Sequence, residues 1–431
     1  MKTSKFQIIF ISIFVVFIVI GVVLFATYKG NTNQVQLPPI VVWGTFPEDI
    51  FNGYIQQINN TRNAPLTVNY VKKTESNFDK DFIETLARGE GPDVILIPQD
   101  MILRHSDKVV PIPYSLLPER NFRDTYIEQG ESYLTPGGIS GLPFIVDPIV
   151  MYWNRDLYTN AGIASYPKTW EDFPNLINKL NVKDVNSNIR RSAIAMGDFT
   201  NITNAREILS SLFFQAGNPI TKYTNNGVQS TLNLAEGQTG ATQALLFFVQ
   251  FVNPQSKYYS WNRSLSQSRT MFLSGNLASY FGFASELKDI RNKNPNLNFD
   301  IAPFPQIKDT KNRVTYGRMY GFSIVRSTKN QVGSFNTISE LIQPNNLNNL
   351  VSMTYLPPVR RDLIGAGTND PYLSIFYDSA LISKGWLDPS RNETTKILSN
   401  MVDGVTSGKV NSFEGIREAS DSIDLLIRQI K

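Results

Sequence analysis

The chain contains no cysteine, so it can hold neither a disulfide nor a thiolate metal site, and no lipid can be attached through a cysteine at the end of a leader. It has a single histidine, His105. Serine–histidine chemistry would have to run through that one ring, which sits in "LRHSDK" and reads as a solvated surface side chain. G-x-S-x-G, H-E-x-x-H and a phosphate-binding glycine loop are also missing. Excess charge is equally scarce: 41 Lys+Arg stand against 37 Asp+Glu, a net +4 with no basic block, which argues against a nucleic-acid partner. These absences leave stability to packing and point away from thiol, histidine and metal chemistry. No cofactor and no metal site is expected.

One long hydrophobic run is present. Ile8 to Ala26 is uncharged and overwhelmingly apolar over 19 residues, close to the roughly 20 needed to cross a bilayer as a helix. A cleaved secretory signal is the rival reading, but its apolar core is usually shorter, about 7–15 residues, and of the small-x-small cleavage pattern only Ala26 fits. The sequence therefore predicts an uncleaved single-pass anchor over residues 1–29. Lys2 and Lys5 precede the run, so the positive-inside rule places everything after it outside the cytoplasm. Residues 30–39 are polar with two prolines and read as a tether. About ten residues of that kind hold the globular part within roughly 20 Å of the membrane.

From Ile40 on, the pattern alternates strand and helix. "IVVWG", "LTVNYVKK" and "PDVILIP" have strand length, and between them "PEDIFNGYIQQINN" and "NFDKDFIETLARGEG" carry apolar residues at helical spacing, the second with Asn77 as its cap. That β-α-β-α-β order predicts a parallel sheet covered by helices. The middle is richer in helix, including "TNAREILSSLFFQAG", with short strands "SAIAM", "LASYF", "NFDIAPF" and "YGFSIV" interleaved, and the tail is an amphipathic helix. No internal repeat is visible. The length suits two α/β lobes.

Six segments in order carry a resemblance: "GPDVILIPQD", "GLPFIVDPIVMYWNRDLYTNAGI", "PKTWEDF", "FLSGNLASYFG", "FDIAPFPQ" and "GFSIVRSTKN". In that order they are similar to the sugar-type extracellular solute-binding proteins of ABC importers, the family of maltose-binding-like proteins. The resemblance spans Ile40 to the C-terminus. It implies a two-lobe fold of the periplasmic-binding-protein type (type II), with lobe 1 from 40–145 plus about 321–355 and lobe 2 from 146–320 plus about 356–431. Hinge strands join the lobes and the ligand lies between them. A monomer serving an ABC permease, with a carbohydrate as ligand, is implied as well.

The same resemblance supplies candidate ligand contacts. The "GLPF" segment is where the family's chain first crosses between lobes, so Phe144 and Asp147 would lie on the cleft floor and Tyr152 would follow. A sugar needs a ring to stack on and acceptors at its edge, and Phe144 with Asp147 offers both within four residues. Trp43 ends the first strand and Asp100 follows the third, where ligands of open α/β sheets bind. Phe281 and Phe283 stand where relatives carry Gly-Ser-Trp. Tyr316 and Arg318 belong to a second crossing, Arg360 to a third, and Trp261 adds a further ring. Each has a bland alternative: Phe144 as core, Asp147 as the turn before Pro148, Asp100 as a loop acid, Arg318 as a surface side chain.

Two other classes stay open on the residues alone. Asp100 and Asp147 could be the paired acids of a glycoside hydrolase, which needs two carboxyls about 5–10 Å apart. An anchored adhesin or scaffold would need no ring-lined cleft at all.

Overall fold

The structure, a computed structural model, describes residues 39–62, 65–224, 227–233 and 238–430. The expected anchor and all but the last residue of the expected tether lie outside them. No helix among the described residues is long and apolar enough to cross a membrane.

The chain opens with β1 (Ile40–Gly44), α1 (Glu48–Asn60), β2 (Val68–Lys72), α2 (Glu75–Ala87) and β3 (Val94–Pro98), and β1 pairs in parallel with both β2 and β3. α1 buries Phe51, Tyr54, Ile55 and Ile58, a spacing that keeps one face on the sheet. α2 starts earlier than its asparagine suggests. Thr74 is the cap residue, its carbonyl accepting the first helical N–H from Phe78, so Glu75 stands in the first turn instead of in a preceding loop. Gly89 ends the helix region at φ +74°, the left-handed conformation that glycine adopts without strain.

β4 (Leu142–Asn154) is 13 residues long and buried at every position but Trp153. Three strands of the second half come next, β5 (Val182–Lys183), β6 (Ile189–Ile194) and β7 (Leu277–Phe283), then β8 (Phe299–Ala302), β9 (Thr315–Ile324) and β10 (Ser383–Lys384). One sheet runs through the molecule in the order β2-β1-β3-β9-β4-β7-β6-β5, with β8 also on β4 and β10 also on β9. β4 changes partner along its length. Residues 142–148 pair with β9, whereas Ile149 to Trp153 pair with β7. The two prolines of β4, which cannot donate to a ladder, face glycines of β9: Pro143 opposite Gly321 and Pro148 opposite Gly317. The register slips between Tyr320 and Gly321.

Two aromatic cores flank these crossing strands. Phe46, Phe51, Tyr54, Phe144 and Phe322 interlock on one side. On the other, Tyr152, Phe272, Tyr280 and Phe299 form one group and Trp170, Phe281 and Phe304 another. Four helices of the second half pack in pairs or on the sheet. α3 (Ala205–Gln215) packs on β9 and on α4 (Gln238–Val249), and α5 (Arg391–Thr406) packs on α6 (Ser412–Ile430). α3 is buried all round, polar residues included, so it needs internal partners. Ser210 and Ser211 donate back to Arg206 and Glu207 carbonyls, and Gln215 donates to Pro305 and Val314 carbonyls.

Candidate ligand-binding site

Three helix starts and the two crossing strands converge on one charged cluster. Asp100 opens a 3-10 turn directly after β3 and is 1% exposed. Its Oδ2 lies 3.1 Å from Arg391 Nη1, at the first residue of α5. Arg391 Nη2 in turn meets Glu207 Oε1 at 2.5 Å, in the first turn of α3. Arg206 bridges Glu207 (3.2 Å) and Asp388, and its guanidinium lies over the Trp386 ring at 4.6 Å. Asp388 is fixed further by the Ser390 N–H and the Thr394 hydroxyl. Arg318, on β9, reaches Glu75 of α2 at 2.5 Å.

The electrostatics come from burial set against these pairings. Burial pushes the Asp100 carboxyl up, but Arg391, Arg318 and Arg206 outweigh it and hold it below its usual range. Glu207 is held low in the same way, against its burial, by Arg391 and Arg206. Asp388 behaves oppositely: burial wins over Arg206 and its carboxyl is raised. Asp147, directly opposite Arg318 in the strand register, is pushed up to about 7, first by burial and then by Glu286, although the Ser285 N–H donates to its Oδ1 at 3.0 Å.

Several polar atoms in this cluster have no hydrogen-bond partner among the described residues: Asp100 Oδ1, Tyr316 OH, Arg206 Nε, Arg318 Nε and Trp386 Nε1. Leaving such groups buried and unpaired costs about 1–3 kcal/mol each, more for charged ones. Rings stand beside them. Tyr320 packs on Phe46 at 5.3 Å with the Arg318 guanidinium 5.8 Å from its centroid, and Phe283 lies 6.3 Å from Tyr316. The arrangement can receive a ligand with many donors and acceptors and an apolar face. No group of three acids or histidines able to hold a metal occurs among the described residues.

The expected site residues divide. Asp100, Asp147, Tyr316, Arg318 and Phe283 come together here. Trp43, the last but one residue of β1, is buried with the Lys73 ammonium 4.1 Å over its ring. Phe144 is fully buried among Phe46, Phe51, Tyr54 and Phe322. Tyr152 is fully buried too, and its hydroxyl donates to the Phe283 carbonyl. Trp261 is inside with its indole N–H on Asn201, and Phe281 packs on Trp170 and Phe304. Arg360 pairs with Asp362 two residues on. In these positions the rings fill the cores, where aromatic area is most stabilising. His105 is likewise not a surface residue: it is 1% exposed between Phe78 and Phe82, and its Nε2 bonds Asp79 at 2.9 Å.

The residues that sequence reasoning did not find are Glu75, Arg206, Glu207, Trp386, Asp388 and Arg391. A signal existed for half of them. "GWLDPSR" repeats the ring-then-Asp-Pro pattern of "FIVDP", and in both the acid lies at the cluster. "NARE" begins at Asn204, a left-handed residue (φ 63°) that no periodicity reveals.

Two α/β lobes hung on a shared pair of crossing strands, with a polar, partly unsatisfied cluster beside those strands, define a solute-binding architecture. A family profile for bacterial extracellular solute-binding proteins matches residues 47–336, and the chain belongs to that family. It is a family of binding proteins, not of enzymes. A cyclo/maltodextrin-binding protein complexed with maltotetraose superposes with a TM-score of 0.71 at 15% identity, covering 92% of this chain and 98% of that one. The GacH receptor of Streptomyces glaucescens, solved unliganded and with acarbose, gives 0.69 at 13%, covering 91% and 99%. A solute-binding protein of an ABC transporter from Thermotoga lettingae, bound to α-D-tagatose, gives 0.65 at 16%, covering 90% and 99%. No curated protein sequence matches the chain.

Proposed function

We propose that the protein captures a carbohydrate, an oligosaccharide more than a monosaccharide, between its lobes and delivers it to an ABC permease from an extracytoplasmic position held by the apolar run at Ile8–Ala26. The observation that carries this reading is the set of unpaired donors and acceptors on Asp100, Tyr316 and Arg318 beside Tyr320 and Phe283. A sugar offers both hydroxyl roles and an apolar ring face, whereas an amino acid or peptide would bring its own charges to arginines and acids that are already paired. The structural neighbours bound to maltotetraose, acarbose and tagatose support the class. The hydrolase reading is weaker, because the Asp100 carboxylate is occupied by Arg391 and Asp147 by the Ser285 N–H. The lobe boundaries near residues 145, 320 and 355 and the anchor belong to the same proposal. Tethering close to the membrane would raise the effective concentration at the permease.

A thermal-shift screen over neutral oligosaccharides, polyols, amino acids and peptides tests it. Ligand at 100 times its dissociation constant adds about 2.7 kcal/mol to stability. The largest shift is expected from an oligosaccharide; stabilisation by peptides or amino acids alone would overturn the carbohydrate assignment.

A further inference from the structure

The charges around the cluster come close to cancelling. Three arginines, Arg206, Arg318 and Arg391, face four acids, Glu75, Asp100, Glu207 and Asp388, while Asp147, opposite Arg318 in the strand register, has its carboxyl pushed up by burial. The cancellation is uneven in access. Arg206 and Asp388 are sealed, with side chains 3% and 0% exposed, and no ligand could reach their charges without rebuilding the core. Arg318 is 16% exposed and its partner Glu75 33%, so this pair is the accessible part of the network that a ligand would meet. Arg391 is 28% exposed but has two carboxylates on it, Asp100 and Glu207. Among the described residues Arg318 makes one ion pair, with Glu75, and its buried Nε has no hydrogen-bond partner. A guanidinium with a free N–H and one removable counter-charge is a ready fork for a carboxylate.

From this we infer that Glu75 determines specificity: by neutralising Arg318 it reserves the site for uncharged sugars and turns away sugar acids. The inference rests on the carbohydrate reading of the site. A uronate brought to Arg318 would have to share the guanidinium with the Glu75 carboxylate, and two like charges within about 4 Å repel strongly where water is partly excluded. A neutral sugar meets no such repulsion and can accept from Arg318 Nε through a hydroxyl. Deleting the Glu75 charge leaves an arginine with room for an anion. Position in the chain makes the residue easy to alter, since Glu75 is in the first turn of α2 with its side chain a third exposed, outside the hydrophobic core.

The test uses the full chain and matched pairs of oligosaccharides of two to four units: glucose, mannose and galactose chains and their counterparts with a 6-carboxylate, the uronates. Dissociation constants are measured by calorimetry for the parent, Glu75→Gln and Glu75→Asp. The parent is expected to bind the neutral member of at least one pair and to discriminate against its uronate. In Glu75→Gln the ratio of uronate to neutral dissociation constants should fall by at least about tenfold, the size expected when one nearby like charge is removed, and Glu75→Asp should restore the parental ratio. Melting curves without sugar show that the variants are folded, and using a ratio cancels any general loss of affinity. An unchanged ratio in Glu75→Gln, or a parent that binds uronates as tightly as neutral sugars, would overturn the role of Glu75 while leaving the carbohydrate reading standing. A parent that binds no member of any pair would instead overturn the carbohydrate reading, and this inference with it.

Discussion

Asp147 shows how far one side chain can be tuned by position alone. It sits at the point where β4 leaves β9 for β7, buried, with its carboxyl pushed up to about 7. In the unfolded chain an aspartate titrates near 3.9. The folded-state value is the higher one, so the folded protein holds its proton longer: below about pH 4 both states are protonated and the residue contributes nothing, while between about 4 and 7 folding is increasingly opposed. Above about pH 7 the penalty is complete, on the order of a few kcal/mol. Asp147→Asn keeps an acceptor for the Ser285 N–H and removes the titration. Its melting temperature, compared with the parent across pH 4 to 8, should rise relative to the parent as pH increases and level off near pH 7. Parallel curves would show that Asp147 ionises freely. The sequence exposed this residue and Arg318 through the family resemblance, which places both in segments that cross between lobes. It could not expose Arg206 or Arg391, whose partners Asp388 and Asp100 are 182 and 291 residues away. Nor could it sort the rings: Phe144, Trp261 and Phe281 have the composition of a sugar platform and the surroundings of a core.

Among the elements, the pairing of β4 with β9 is built to be imperfect. Each β4 proline faces a β9 glycine, and Gly321 is tight against Tyr133: a Cβ there would come within 2.3 Å of the Tyr133 hydroxyl and 2.6 Å of the ring. Gly321→Ala is therefore expected to displace a fully buried ring and cost about 1–3 kcal/mol, the usual range for overpacking. Urea unfolding checks it, and a change under about 0.5 kcal/mol, the range of an ordinary surface substitution, would mean that Tyr133 moves aside freely. Strands and helices at the front of the chain were legible because β1, β3, α1 and α2 each satisfy one periodicity. The start of α2 was not, because Thr74 and Asn77 are both good cap residue types and the chain enters the helix at Thr74 without a side-chain cap bond. α3 was legible as a helix but not as one buried on every side, since serines and a glutamine look exposed until their internal partners are known.

For the molecule as a whole, two lobes joined through a continuous sheet can close only by bending or twisting at the crossing strands, where proline, glycine and a register slip already weaken the ladder. Small-angle scattering should then give a smaller radius of gyration with a bound oligosaccharide than without, because a ligand that touches both lobes favours the closed form. A sample that demonstrably binds and keeps its radius would exclude hinge closure. The placement of β9 has another effect, on how the chain is made. It lies between β3 and β4, and its Met319 N–H donates to Gln99 across 220 residues of sequence. The centre of the sheet therefore stays vacant until most of the polypeptide has been synthesised, and pairing over such separations is slow. A nascent chain that cannot complete its middle early remains threadable, which suits a protein bound for the far side of a membrane.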